Sequence, residues 1–219
     1  YFIKANSEQI TRFLRKVSMQ ISKSILLAVL TILISGSCLF AMSGSNSGPM
    51  MLAENEKARY TITPTGDSKV VSFAAEELAR YLKKISGADF AISRSETEKS
   101  IVLKSTGSQT GRNRPARDGY RVYTEGPKIY ITGQNPRAVL YGAYAFLKNL
   151  GCEWIAPDLD FFAGRHQTIP TIEKLVYSGA TIESRADLKY RKIYIEEGRS
   201  HNVGNLVKLI DWMGKNRMN

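Results

Sequence analysis

The stretch GYRVYTEGPKIYITGQNPRAVLYGAYAFLKNLG, residues 119–151, decides the fold of this chain. Apolar and polar residues alternate over 119–124 and again over 128–133, which is the pattern of half-buried strands. The Glu-Gly-Pro sequence at 125–127 is typical of a turn. The two strands are therefore predicted to form a hairpin.

A helix is predicted directly after this hairpin. Asn135 supplies a capping side chain, and Pro136 suits the first helical position, where a backbone N–H is not required. Gly151 ends the helix. One face of the segment is apolar and is expected to be buried; it comprises Val139, Ala143, Phe146, Leu147 and Leu150.

A second amphipathic helix is predicted upstream, in SFAAEELARYLKKISG at residues 72–87. Ser72 can cap its first turn, and Gly87 stands just after its last turn, where glycine is preferred. Its apolar face comprises Ala74, Leu78, Tyr81, Leu82 and Ile85. Further strands are predicted at 58–64, around 90–93 and at 100–105.

The predicted element order is β-α-β-β-β-α. Both helices have an apolar face that must be covered, and the simplest arrangement lays both on the same side of one sheet. We therefore expect an α+β fold over residues 55–188. It would be a two-layer sandwich, with a mostly antiparallel sheet and two helices on one face.

The N-terminal region has the features of an export leader. The chain does not begin with methionine; after Met19 come a short basic segment, the apolar run 25–34 and small residues, the order found in a signal peptide. Residues 19–41 are interpreted as a signal peptide or lipoprotein leader and 42–54 as a flexible tether. Residues 1–18 are interpreted as upstream translation, the alternative being an amphipathic N-terminal helix.

The end of the apolar run leaves two forms of export open. The sequence ISGSC at 34–38 resembles a loose lipobox, which would place a lipid on Cys38, although Ser37 rather than Gly or Ala precedes that cysteine. The other possibility is ordinary cleavage and secretion. We expect an exported protein in either case, periplasmic, on the cell surface or secreted, with a membrane contact only through such a lipid anchor.

The composition argues against several other classes of protein. The net charge is +11, but the excess cations cluster in 1–24 and from Lys189 onward, so no nucleic-acid partner is expected. Neither Cys38 nor Cys152 has a Cys or His at metal-binding spacing, and no glycine-rich phosphate loop is present. No metal and no cofactor are therefore expected.

Several motifs occur together in the order seen in a known group of domains. They are Lys84-Ile85-Ser86-Gly87, Ile131-Thr132-Gly133, the helix from Arg137 to Gly151, and Trp154 with Pro157. This pattern resembles the N-terminal domain of several glycoside hydrolases, among them the family 20 β-hexosaminidases and the family 67 α-glucuronidases. Ala138 departs from the pattern, since relatives often have glycine there.

The segment 189–219 resembles the opening of a hexosaminidase-type (β/α)₈ barrel. Lys192 to Ile195 alternates like a strand, and a helix is predicted with an apolar face at Leu206, Leu209, Ile210 and Met213. One strand and one helix cannot bury these faces alone, because a barrel needs its closed sheet. The sequence is therefore expected to contain only the first β/α unit of a truncated TIM barrel.

The same resemblance supplies candidate substrate-binding residues. Family 20 enzymes have an Asp-x-x-Arg element after the first barrel strand, and Glu196-Glu197-Gly198-Arg199 has this spacing with Glu in place of Asp. The resemblance implies that Arg199 binds sugar hydroxyls, with Glu196 and His201 beside it; the alternative is a solvated polar turn. Adjacent Glu196 and Glu197 point to opposite faces of a strand, so they are not the catalytic pair.

Trp154 has two possible roles. Its ring could stack on a sugar, as aromatic side chains do in carbohydrate sites. A tryptophan directly after a helix more often fills the interface between domains, and this second role is the one we predict.

The resemblance implies the N-terminal part of an exported bacterial glycoside hydrolase that acts on an oligo- or polysaccharide. The catalytic residues would lie on later barrel strands, with none among the residues given, so this stretch alone is expected to be inactive. The alternative is a non-enzymatic carbohydrate- or protein-binding module.

Overall fold

A five-stranded mixed sheet forms the centre of the protein, which we describe from a computed structural model. The structure describes residues 48–107, 118–194 and 203–219, all within one compact unit, Ser45–Asn219. The leader interpreted at 1–18 and 19–41, including Cys38, lies outside the described residues. Among those that are described, no helix is both long and apolar enough to cross a membrane.

The central sheet contains strands β3 (Thr61–Pro64), β4 (Ser100–Ser105), β5 (Gly119–Glu125), β6 (Lys128–Gly133) and β10 (Ile182–Arg185), in the order β10-β5-β6-β4-β3. The predicted hairpin is confirmed, because β5 and β6 are antiparallel with Val122 opposite Ile131. The β10–β5 pair is also antiparallel, but the β6–β4 and β4–β3 pairs are parallel.

The prediction of a mostly antiparallel sheet was therefore wrong for half of this sheet. The reason is topological. The helix between β3 and β4 carries the chain back across the sheet, so these two strands must run in the same direction. The connection from β4 to β5 then skips one position, and β6 returns into the gap parallel to β4.

Helix α1 (Lys69–Ser86) and helix α2 (Pro136–Asn149) pack against each other and against β4, which places both on one face of the sheet as predicted. Helix α1 begins one turn earlier than predicted, at the capping position Ser68 rather than Ser72. It ends as predicted at Gly87, whose positive φ of 76° favours glycine. Asn135 caps α2 by accepting a 2.9 Å hydrogen bond from the Ala138 N–H.

A smaller antiparallel sheet joins β1 (Met50–Glu54), β2 (Lys57–Ala58) and β9 (Lys174–Tyr177) in the order β2-β1-β9. Leu52 and Ala53 of β1 are fully buried in the core. The prediction of a flexible tether over 42–54 was therefore wrong for residues 50–54. Three or four apolar residues in a row are too short a pattern to distinguish a buried strand from a linker.

The C-terminal segment contains helix α3 (Val203–Lys215), which confirms the predicted helix. Leu206, Leu209 and Met213 of the predicted apolar face are half-buried, but Ile210 is 58% exposed, and Trp212 packs against the core. The strand predicted from Lys192 is absent over 192–194, the part of it that the structure describes. The short antiparallel pair β7 (Glu153–Trp154) and β8 (Gln167–Thr168) follows α2 in the sequence and precedes β9 and β10.

Candidate functional site

The predicted substrate-binding residues Glu196, Arg199 and His201 lie outside the described residues, as does Cys38. The described part of the chain instead brings functional side chains together where the segment 189–219 meets the α+β domain. This junction has two centres, one at Trp154 and one at Asp118.

Trp154 lies at the first centre and is only 5% exposed. Its ring makes edge contacts with the rings of Tyr81 and Tyr144, each at 5.2 Å between centroids. Its Nε1–H donates a 3.0 Å hydrogen bond to the Tyr81 hydroxyl. A ring enclosed in this way cannot stack on a sugar, so the predicted packing role of Trp154 is confirmed.

Helix α3 is attached to Trp154 through the backbone. The Trp154 carbonyl accepts hydrogen bonds from Trp212 Nε1 at 3.1 Å and from Asn216 Nδ2 at 3.2 Å. A cleft of about 310 Å³ remains beside this contact, between the end of α1, the β7–β8 pair and α3. Its volume is in the range of small-ligand sites.

The charged groups around this cleft are already paired with one another. Burial lowers the pKa of Lys215, but hydrogen bonds to Asp211 and Tyr81 outweigh burial, and the pKa is raised. Burial and the nearby Glu77 raise the pKa of Tyr144, whose hydroxyl donates to Glu77 Oε2 at 2.9 Å. The ion pairs at or near the cleft are Glu77–Arg80, Asp211–Lys215 and Asp160–Lys208, and the His166 ring contacts Asp158.

This pairing determines what the cleft could do chemically. Glycoside hydrolysis normally uses two carboxyl groups about 5 to 9.5 Å apart that are free to act on the sugar. Of the two carboxylates that line the cleft, Asp211 is paired with Lys215, and Asp158 lies 3.2 Å from Nε2 of the His166 ring. Within the described ranges, no group of three or more His, Cys, Asp or Glu side chains could hold a metal ion. The cleft thus lies at the contact between α3 and the α+β domain, and its carboxylates already have partners within the chain.

The second centre is the carboxylate of Asp118, which the sequence did not single out. Its side chain is 3% exposed. Oδ1 accepts hydrogen bonds from Asn135 Nδ2 at 2.9 Å and from Arg137 at 3.1 and 3.3 Å, and Oδ2 accepts one from Arg191 at 2.7 Å. Burial raises the pKa of Asp118, but the bonds from Arg191, Asn135 and Arg137 outweigh burial and leave it below its ordinary value.

Arg191 connects Asp118 to the C-terminal residues. Its Nε donates to the Arg217 carbonyl at 2.6 Å, and one terminal nitrogen donates to the Leu188 carbonyl at 2.7 Å. The Tyr141 hydroxyl of α2 donates to the Met218 carbonyl at 2.6 Å. A second cleft, of about 230 Å³, lies next to this network.

The chain returns beside Arg191 after helix α3. The Asn219 N–H donates to the Arg191 carbonyl at 2.8 Å, and the Arg191 N–H donates to the Asn219 side-chain carbonyl, also at 2.8 Å. The Asn219 side-chain amide donates to the Lys189 carbonyl at 2.9 Å. The two ends of the segment 189–219 are thus hydrogen-bonded to each other.

Comparison with known proteins agrees with this architecture. Residues 50–146 match the family model described as "Glycosyl hydrolase family 67 N-terminus". The predicted resemblance to a glycoside hydrolase N-terminal domain is confirmed. An α-glucuronidase of Hypocrea jecorina is 37% identical over 105 residues, which cover 42% of this chain and 12% of that protein.

Two solved structures show the same fold at low sequence identity. The family 20 chitobiase of Flavobacterium johnsoniae is 20% identical with a TM-score of 0.53, over 80% of this chain and 24% of that one. A family GH115 4-O-methyl-α-glucuronidase with specificity for decorated arabinogalactans is 15% identical with a TM-score of 0.52, over 78% of this chain and 25% of that one. The chain therefore spans a quarter or less of the relatives it matches.

Proposed function

We propose that this chain is the N-terminal part of an exported bacterial glycoside hydrolase of the α-glucuronidase type. Residues 50–188 would be its non-catalytic domain and 189–219 the first unit of a catalytic (β/α)₈ barrel. The observation that carries the proposal is the match of residues 50–146 to the family 67 N-terminus, because this match lies in the sequence as well as in the fold. Fold likeness alone does not determine activity.

We choose an α-glucuronidase over a β-hexosaminidase because a match in sequence carries more weight than a likeness in fold alone. The 37% identity to an α-glucuronidase is a relationship at the sequence level. The likeness to a family 20 chitobiase, at 20% identity, concerns the fold alone. A terminal α-linked glucuronic acid on an oligo- or polysaccharide is therefore the substrate group that we propose.

The return of the chain after α3 supports the assignment of 189–219 to a barrel. Asn219 is hydrogen-bonded beside Arg191, at the point where the preceding strand of a β-α-β unit would begin. A chain that continues from Asn219 in the direction of 191–194 would pair with it in parallel, which is the repeating arrangement of a (β/α)₈ barrel. In that arrangement Glu196, Arg199 and His201 would follow the first strand at the catalytic end of the barrel, as predicted for sugar contacts.

Assays of the longest protein that the reading frame encodes would test this function. We expect it to release glucuronic acid from an oligosaccharide with a terminal α-linked glucuronic acid, and to leave an N-acetyl-β-hexosaminide intact. The 219-residue chain should be inactive on both. Hydrolysis of the hexosaminide alone would reverse the substrate assignment. Saturable glycan binding without hydrolysis by the long protein would favour a binding module instead.

Two variants would test the predicted sugar contact. Arg199→Lys keeps the charge but removes the planar pair of donors that suits two sugar oxygens, so kcat/KM should fall by roughly tenfold or more. Arg185→Lys, a matched change at an exposed arginine of β10, should leave kcat/KM unchanged. Equal activity of the Arg199→Lys enzyme would refute the role proposed for Arg199.

The export route has its own test. If Cys38 is lipidated, the mature protein begins at that residue, partitions with membranes and gains the mass of a lipid, and Cys38→Ser abolishes all three. If the leader is an ordinary signal peptide, Cys38→Ser changes none of them and the protein is released. Retention of an unprocessed chain in the cytoplasm would contradict export altogether.

A further inference from the structure

The carboxylate of Asp118 joins parts of the chain that are far apart in sequence. Asn135 and Arg137 bind it from the start of α2, inside the domain. Arg191 binds it from the segment 189–219, 73 residues further along the chain. The carboxylate is thus shared between the domain and the segment that follows it.

We propose that the Asp118–Arg191 ion pair holds the segment 189–219 in place on the α+β domain. The domain thereby provides the surface on which that segment docks. Asp118 and Arg191 are positioning residues in this proposal. It rests on the proposed function only in identifying the docked segment with the start of a catalytic barrel. The docking itself is a property of the 219-residue chain.

The position of Arg191 explains how one side chain can hold both ends of the segment. While one terminal nitrogen binds Asp118, the other binds the Leu188 carbonyl and Nε binds the Arg217 carbonyl. The Arg191 backbone is paired with Asn219 in addition. Removal of the Arg191 guanidinium would therefore release the entry and the exit of the segment together.

Apolar contacts contribute less to this docking than they do inside the domain. Along α3, Val203, Val207 and Ile210 are 71%, 60% and 58% exposed. The entry to the segment is open as well, with Leu188 68% and Tyr190 63% exposed. Leu206, Leu209 and Met213 are half-buried, and Trp212 packs against the core. Burial of apolar surface is the main driving force for packing, and it is only partial along α3, so polar contacts are expected to help fix the position of the segment.

Of the two arginines that bind Asp118, Arg191 is more shielded from water than Arg137. The side chain of Arg191 is 19% exposed, and that of Arg137 is 42% exposed. An ion pair shielded from water is much more sensitive to loss of one partner than an exposed pair. Arg137 therefore supplies a matched control, since it binds the same carboxylate but belongs to the domain.

Hydrogen exchange of the intact 219-residue chain, read by mass spectrometry, would test the proposal with Arg191→Gln and Arg137→Gln. In Arg191→Gln we expect the amides of 203–219 to exchange about tenfold faster or more, while those of β4 and β6 keep their wild-type rates. Arg137→Gln should change the exchange of 203–219 less than threefold.

Three results would overturn the proposal. One is an unchanged rate over 203–219 in Arg191→Gln. Another is an equal acceleration in both arginine variants, which would mean that the charge of the cluster matters and not the specific pair. The third is faster amide exchange both in 203–219 and in β4 and β6. That result would mean that the ion pair stabilises the whole domain and not the docked segment in particular. Hydrogen exchange does not depend on enzymatic activity. Its result would therefore remain valid even if the proposed function were wrong.

Discussion

Gly133→Ala is a substitution for which the structure predicts a clear loss of stability. Gly133 ends β6, and an added Cβ would lie 2.5 Å from Val139 N, 2.7 Å from Ala138 C and 3.0 Å from Ala138 Cβ. Two of these atoms belong to the backbone of α2, so no side-chain rotation can relieve the clash. The helix and strand would have to separate by about 0.9 Å to restore ordinary contact.

The expected cost follows from two opposing terms. Overpacking of this kind destabilises by up to about 3 kcal/mol. The reduced freedom of alanine in the unfolded chain offsets about 0.4–1 kcal/mol of that. We therefore expect a net loss of about 2 kcal/mol, which corresponds to a fall in Tm of roughly 4–8 °C for a unit of this size.

Urea unfolding followed by circular dichroism would measure this loss as a shift of the midpoint by about 1 M at unchanged slope. Gly48→Ala is the matched control, because a Cβ there would meet nothing within 4 Å. A Gly133→Ala protein with the midpoint of the Gly48→Ala control would refute the close packing of α2 on the end of β6.

Three further predictions concern other parts of the described structure. Gly214 lies in α3, and a Cβ added there would meet open space. Gly214→Ala should therefore stabilise the helix by about 1 kcal/mol and slow the exchange of its amides about fivefold. Faster exchange would contradict the presence of the helix. Burial raises the pKa of the Cys152 thiol to about 11. An aromatic disulfide reagent at pH 8 should therefore label Cys152 only after the protein unfolds. Rapid labelling of the folded protein would contradict the burial of this thiol. Because the pKa of Asp118 lies below its ordinary value, its charged form contributes stability above about pH 4, and this contribution is lost as the pH falls further. Asp118→Asn should therefore reduce the dependence of the free energy of unfolding on pH below pH 4. An unchanged pH dependence in this range would contradict the lowered pKa of Asp118.

The elements that the sequence predicted well are those with strong local patterns. The alternation over 119–124 and 128–133 and the capping pair Asn135-Pro136 correspond to β5, β6 and α2 nearly residue for residue. The start of α1 was missed by one turn, since both Ser68 and Ser72 are suitable capping residues. These features depend on neighbours within a few positions, which is why a single sequence reveals them.

The parts that escaped prediction depend on contacts between distant residues. The parallel direction of β4 and β6 follows from the path of the chain between them and has no local pattern. Strand β1 is recognisable only through its partner β9, more than 100 residues later. The role of Asp118 requires Arg137 and Arg191 at their folded positions, and an Asp before a glycine is typical of an ordinary turn.

Trp154 was predictable in kind but not in detail. A tryptophan after the end of α2 suggested an interface, and its ring is enclosed by Tyr81 and Tyr144. The partner on the other side of that interface, Trp212, was not foreseen, because the predicted apolar face of α3 was centred on Leu209 and Ile210. Leu206, Leu209 and Met213 of that face are half-buried, whereas Ile210 is exposed.

The central claim is that a glycoside hydrolase N-terminal domain is followed here by the first unit of a catalytic barrel. Sequencing the DNA downstream of the codon for Asn219 tests it most directly. We predict that the frame continues for several hundred residues of alternating strand and helix patterns, beginning with a strand that starts at Asn219, and with catalytic carboxylates on later strands. A stop codon directly after Asn219, or a continuation without such alternation, would contradict the claim.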